Sequence, residues 1–380
     1  NEKDAVSLAV GGALAEDKGN SITYDNLAKE FDQNPGSGKY ALDGSGPFTV
    51  TFTDSGRSYL IDENGNISEY VDIAQYVKVG DYVDYNPTVS DKTGTQVEVS
   101  KLTYTSPTGS GTEHGNGYTS TEEGGGQKFT ATADTKWRVL DIGSGTVTLI
   151  SENPITTDAG GNFTMNGAIG YLYAERELNE ICKIYGYGYG ADTSQVTKYS
   201  YGGPTDGKLT GEITGSGARS ITIEDINKQA GITEADYTTL DSKYGSTTNP
   251  TVNVYYPTIT TSNGKSSSAG VKNLEYTYYY YNKTKIENTN VQNILFNRSY
   301  WLASRCIDPN SRYSSFDVRD VYTVFGGGMV AGSDTLCIGY SSSWDGGTGH
   351  GSAVRPIVII KSNVIDTNTN YETEEHWNLK

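Results

Sequence analysis

Between Asn293 and Ile360 the chain has no lysine, glutamate or glutamine, although all three recur through the rest of its 380 residues. Solvated surface normally recruits those long polar side chains. A buried core excludes them as well, but this window is too rich in Tyr, Ser, Asp, Asn and Gly to be core. A surface of that composition suits binding, because tyrosine offers contact area at low entropic cost while serine and asparagine supply adaptable hydrogen bonds.

Other scarcities exclude chemistry. Cys182, Cys306 and Cys337 are too few and too scattered for a disulfide scaffold and lack the C-x-x-C spacing of a zinc site. A bridge between Cys306 and Cys337 requires an oxidising compartment; three buried thiols is the alternative. The only histidines, His114, His350 and His376, have no thiol or carboxylate pair beside them, and no serine sits in a G-x-S-x-G elbow. Gly326-Gly327-Gly328 lacks the Lys-Ser/Thr of a phosphate loop and reads as a backbone bend. No apolar run is long enough to span a bilayer, and no signal-peptide pattern is present. A net charge of -17 leaves no basic face for nucleic acid.

What the chain has in abundance is glycine, 46 residues, and tyrosine, 30 residues. Tyrosine favours strands, so the bias points to a β-rich architecture with interaction surfaces. The length suits two or three domains.

Residues 1–76 read as a small α+β unit. Val6, Val10, Ala13 and Leu14 predict a helix over 4–16, stopped by Gly19-Asn20, and a second helix is expected over 23–31. Alternation then runs through Phe48, Val50 and Phe52, turns at Ser55-Gly56, resumes at Tyr59 and Ile61, and turns again at Asn64-Gly65. This predicts a three-stranded meander. Asp62, Glu63, Asn64, Asn66 and Glu69 lack the glycine position of an EF-hand, so a turn is preferred to a calcium loop.

A second unit is expected over 77–364, opening with the strand-like VGDYVDYNPTV. Residues 106–126, with His114, read as a mobile Gly/Ser/Thr loop. Trp137, Val139 and Leu140 answer Val147, Leu149 and Ile150 across a Gly-Ser-Gly turn, which predicts a hairpin. Leu178, Ile181, Cys182 and Tyr185 form one face of a helix over 171–185. Thr222 and Asp225 carry a capping-type signature for a short helix, and another is expected over 233–240. Residues 183–210 read as a surface excursion and 249–270 as loop. YTYYYY at 276–281 predicts a strand aromatic on both faces. The polar, acidic tail 365–380 is expected to pack poorly.

Two resemblances follow. AVSLAVGGALAEDKGNSITYDNLAKEF with the hairpins after it resembles the globular headpiece of a type IV pilin or pseudopilin, over about the first fifth of the chain. A pilin begins with a long hydrophobic anchoring helix, which these residues do not include. The order WRVL, LIS, LNEIC, ARSITIEDI, YWLASR, FDVR and AVRPIVII resembles a bacterial family whose C-terminal domain adopts a C-type lectin-like fold, related to that of formylglycine-generating enzymes. Some of its members are variable proteins of diversity-generating retroelements. The fold class implied is α+β: a pilin-like helix and antiparallel meander, then a C-type lectin-like mixed α/β domain with long irregular loops.

In such variable proteins adenines of asparagine codons are randomised, giving residues whose codons end in a pyrimidine. Lys, Glu and Gln cannot arise that way, which matches the depletion; Met329 and Trp344 are then fixed. The resemblance makes 301–356 the variable segment. Trp301, Arg305, Phe316, Val318, Arg319 and Arg355-Pro356 become scaffold, with the arginines holding loop carbonyls. Asp308, Asn310, Arg312, Tyr313, Ser314, Asp320, Tyr322, Phe325, Tyr340, Ser342, Ser343 and Asp345 become displayed ligand contacts. Ordinary polar loop residues are the plainer reading of all twelve. Cys306 and Cys337 do not match the reactive cysteine pair of the enzyme relatives. The function implied is an extracellular, pilus-associated adhesin or receptor at the bacterial cell surface, with no catalytic residues, cofactor or metal. Its partners would be a protein or glycan ligand, other pilin subunits, and a membrane only through the missing helix. The alternatives are a structural pilus subunit and an enzyme on the same fold.

Overall fold

A computed structural model describes residues 21–23, 48–51, 58–61, 67–70, 72–88, 95–100, 102–104, 121–123, 125–143, 145–165, 167–201, 209–232, 253–256, 263–266, 281–282, 286–309, 314–322, 329–332 and 350–380. The class is mixed α+β, built mainly from small antiparallel sheets.

At the front, Phe48–Thr51, Ser58–Ile61 and Ile67–Tyr70 form the meander that their alternation predicts, with Phe48 opposite Ile61 and Ile61 opposite Ile67. A fourth strand, Ser21–Thr23, joins in parallel beside Phe48–Thr51, so Thr23 ends a strand. The rest of both expected helices, and the 62–66 turn, lie outside the described residues.

Ile73, before the boundary expected from sequence, and Val77, at it, pack together with the body. Both are buried in the same apolar cluster as Trp137, Val147 and Leu149. The middle of this body is a five-stranded antiparallel sheet in the order Ala218–Ser220, Pro356–Lys361, Thr146–Ser151, Trp137–Ile142, Tyr82–Val83. The expected hairpin is present, with Val139 opposite Leu149 and a register shift between Val139 and Asp141. Because strand side chains alternate, Val147, Leu149, Val358 and Ile360 face one apolar cluster while Ile150 and Ile357 face another.

That second cluster separates two sheets. Across it lies a four-stranded antiparallel sheet in the order Tyr281–Asn282, Met329–Gly332, Ser314–Tyr322, Tyr300–Pro309, which contributes Tyr300, Leu302 and Val321. Two short helices fill the space between. Ile223–Gln229 starts at the capping box foreseen from sequence: Thr222 accepts from the Asp225 amide and Asp225 accepts from the Thr222 amide. Thr289–Leu295 starts at Asn288, whose side chain accepts from the Asn290 and Val291 amides.

The far face of the four-stranded sheet packs on the helix Gly167–Cys182, extended by a 3-10 turn over Lys183–Tyr185. Its predicted face is buried: Leu178, Ile181 and Cys182 join Trp301, Ala303 and Val318 in a third cluster, while Tyr185 turns toward the first. A Cβ on Gly170 would lie 2.7 Å from Val318 Cγ2, so the missing side chain permits this close approach.

Three expectations need correcting. The stretch after the helix is only partly a surface excursion, since Ile184, Tyr185, Gly186, Gly188 and Asp192 are buried. The Gly188 amide donates to Tyr85 Oη, and a Cβ there would meet Asn86 O at 2.1 Å. Asn253–Tyr256 and Asn263–Ser266 form a hairpin where loop is expected. The acidic tail is anchored at Ile365 and Trp377, with its glutamates left exposed. Trp377 is 6% exposed, bridges Val83 in parallel, and donates through Nε1 to Asp81 Oδ2 at 2.9 Å. One large aromatic and a free sheet edge outweigh the polar composition around them.

Candidate functional site

The Lys/Glu/Gln-free window begins and ends inside the body, and its chain closes on itself where 301–352 starts and finishes. The Trp301 amide donates to Ala353 O at 2.9 Å, and Tyr300 and Ala353 form a parallel bridge. Val354 on the returning strand then pairs with Ile155 through two further backbone hydrogen bonds. The segment 301–352 therefore has a closed neck made of backbone contacts, while Trp301, Leu302, Ala303, Val318 and Val321 within it pack into the core of the body.

Arg355 fastens this neck from inside. Its Nε and Nη2 donate to Ser151 O at 3.0 and 2.8 Å, and Nη2 also donates to Glu152 O at 2.8 Å. Nη1 donates to Ile294 O at 2.6 Å and to Asn297 Oδ1 at 3.4 Å. The guanidinium carbon stands 5.0 Å from the centre of the Tyr300 ring, and Tyr300 Oη donates to Leu295 O. Arg355 is fully buried and none of these acceptors is a carboxylate. Burial lowers the Arg355 pKa, partly offset by Tyr300; burial also pushes Tyr300 up to about 12, against the Arg355 charge. An arginine keeps its charge under such conditions, and its rigid fork of donors suits a ring of carbonyls. An arginine holding loop carbonyls is foreseen from sequence; Arg355 holds carbonyls of a strand end, a helix and, at Glu152, the chain after the strand.

The carbonyl ring is steadied in turn. Asn297 Nδ2 donates to Glu152 O at 2.8 Å, and Tyr82 Oη donates to the Glu152 carboxylate. That bond, with burial, raises the Tyr82 pKa. Sequence reasoning missed Ser151, Glu152, Ile294 and Asn297 because three of them act through backbone oxygens, which residue identity does not reveal.

Beneath the segment, Glu175 on the long helix links two elements. Its Oε2 accepts from the Ser200 amide at 2.6 Å, and its Oε1 lies 3.9 Å from Arg305 Nε. Beside it, Arg176 stands 4.6 and 5.4 Å from the Tyr173 and Tyr201 ring centres. The positions expected to be scaffold, Trp301, Arg305, Val318, Arg319, Arg355 and Pro356, are all buried.

Of the expected ligand contacts, Asp308 and Ser314 come together at the outer end of the segment's first hairpin, where Asp308 pairs with Ser315 and Pro309 with Ser314. At about 3.3 Å per strand residue this end stands roughly 25 Å from Trp301 at the neck. Tyr322 lies at the opposite end, paired with Met329. Asp320, opposite Trp301, is only 6% exposed, so it is buried where a displayed contact is expected. Asn310, Arg312, Tyr313, Phe325, Tyr340, Ser342, Ser343 and Asp345 lie outside the described residues, as do Cys337 and the Phe316 and Cys306 side chains. The hairpin Asn253–Tyr256 with Asn263–Ser266 comes next to the strand Ser314–Tyr322, a neighbour not foreseen.

Among the described residues no group of His, Cys, Asp and Glu is arranged to hold a metal ion. Cys182 is a buried free thiol whose pKa burial raises, the setting of an inert core cysteine. His376 meets Asn378 Oδ1 in the tail. Among the described residues no helix is long and apolar enough to cross a membrane. No protein-family model, curated protein or solved structure matches this chain.

Proposed function

We propose that this chain is a ligand-binding display protein, in which a C-type lectin-like body holds a diversified segment at its neck and binds without catalysing a reaction. The observation that carries the reading is that one interval lies wholly inside another. The window free of Lys, Glu and Gln spans 293–360, and the segment closed by its own neck spans 301–352. A surface rebuilt by mutation needs a scaffold whose stability does not depend on the altered residues, and a neck of backbone and buried-arginine bonds meets that need. Tyrosine rings then supply low-entropy contact area, and Ser, Asp and Asn supply hydrogen bonds. A pilin-like front end would carry this body on an extracellular fibre, as an adhesin or receptor for a protein or glycan.

The decisive experiment is sequencing the surrounding locus. Diversification by a retroelement requires a nearby template repeat that differs from the 301–356 coding stretch only at adenines, beside a reverse transcriptase gene. A locus without that repeat removes the diversification reading and leaves a fixed binding surface.

A further inference from the structure

The C-terminal tail touches the system that closes the neck through Tyr82, which lies far from it in sequence. Tyr371 Oη accepts from the Tyr82 amide at 3.0 Å, and the Trp377 amide donates to Tyr82 O at 2.9 Å. Tyr82 is thus gripped on both of its backbone groups by the tail. Its own hydroxyl donates to the Glu152 carboxylate, and Glu152 O is one of the carbonyls that hold Arg355. Arg355 is packed on Tyr300, which bridges Ala353. The Arg138 guanidinium stands 4.7 Å over the Tyr82 ring and donates to Gly80 O, limiting where that ring can go.

We propose that residues 365–380 act as a strap that holds Tyr82 against Glu152 and so sets how firmly the neck of the 301–352 segment is closed. The consequence is regulatory: whatever pulls or displaces the tail loosens the neck without touching the segment itself. The strap has the parts this requires. Trp377 anchors it, with its indole donating to Asp81 and its ring 5.4 Å from that of Tyr371. Ile365 pairs with Leu379, so the tail closes on itself as a unit. The segment's role as a display surface gives the strap its purpose, but the neck contacts stand without it.

Amide hydrogen exchange on the full chain tests this without any ligand, which keeps its outcome separate from that of the display reading. The reporters are the Trp301 amide, bonded across the neck to Ala353, and the Leu149 amide in the body sheet. Tyr371→Phe and Tyr82→Phe each remove one link of the strap and keep the ring. Both are expected to speed Trp301 exchange by about fivefold, the scale of one hydrogen bond, and to leave Leu149 unchanged. The two together should give little more than either alone, because the links lie in series. The two phenylalanine variants decide the matter because they spare Trp377, which packs in the same apolar cluster as Leu149. The proposal is overturned if Trp301 exchange stays at the wild-type rate in both variants. Equal acceleration at Trp301 and Leu149 also overturns it, since the tail would then stabilise the whole body and not the neck.

Discussion

Tyr300 and Ala353 sit side by side in a parallel bridge, with the whole 301–352 segment strung between them. Their meeting closes the two ends of a long polar stretch on one another, and the side chain behind that closure is Arg355.

Arg355→Met should therefore destabilise the fold by about 3 kcal/mol, because it strips the donors from several buried carbonyl oxygens at once. Arg355→Lys should recover little, since a single ammonium cannot reproduce the fork. Urea denaturation of the three proteins checks the ranking; a lysine variant as stable as wild type would show that charge alone is what the carbonyl ring requires.

Asp225 gives a pH signature. Burial raises its pKa, but the Arg219 charge, with hydrogen bonds from Arg219 and Thr222, outweighs burial and holds the carboxyl below its usual range. Arg219 reaches it through both Nη atoms at 2.6 Å. A depressed folded pKa contributes stability that is fully present above the unfolded value of about 4 and is lost as pH falls through the folded value. Asp225→Asn should cost about 2 kcal/mol at pH 7, a partly exposed pair being worth less than a fully buried one. Stability curves of the two proteins should converge on acidification below pH of about 4; a constant gap would assign the loss to the cap geometry.

Gly170→Ala should destabilise by about 1–3 kcal/mol, because Val318 Cγ2 occupies the space of the new methyl group and a β-branched buried neighbour has little room to move. Val318→Ala in the same background should return part of the loss, a compensation readable as a shift in thermal midpoint.

Tyr313→Ala combined with Tyr322→Ala should abolish capture of the ligand that the wild-type chain recovers, with the melting temperature almost unchanged. A large fall in melting temperature would mean that these rings are core and that display depends on other positions.

Trp377→Ala should cost about 3–5 kcal/mol, as expected for removing a large buried aromatic. Calorimetry would reveal it, and a cost near zero would restore the loosely packed tail that composition suggests.

Much of the body was legible in the sequence wherever the signal is local. The 137–151 hairpin follows from two alternating runs around a glycine turn, the buried face of the long helix from the spacing of Leu178, Ile181 and Cys182, and the Thr222 cap from a residue pair three positions apart. The errors share a cause. The tail looked unstructured because one tryptophan among polar residues gives no periodicity, yet it found a free sheet edge. Residues 249–270 looked like loop because their pairing has no alternating apolar pattern to announce it. Asp320 looked displayed because a polar residue in a polar stretch carries no mark of the Trp301 opposite it.

By itself the sequence determined where long charged side chains are missing and which segments can alternate, wind or cap, because these are properties of composition and of neighbours a few bonds apart. Only the tertiary structure decided that the two ends of 301–352 meet, that Arg355 is held by neutral carbonyls from two remote segments, and that the tail grips Tyr82. Those contacts join residues far apart in the chain, several of them through backbone atoms that every residue shares, so their specificity resides in geometry and leaves no letter in the sequence.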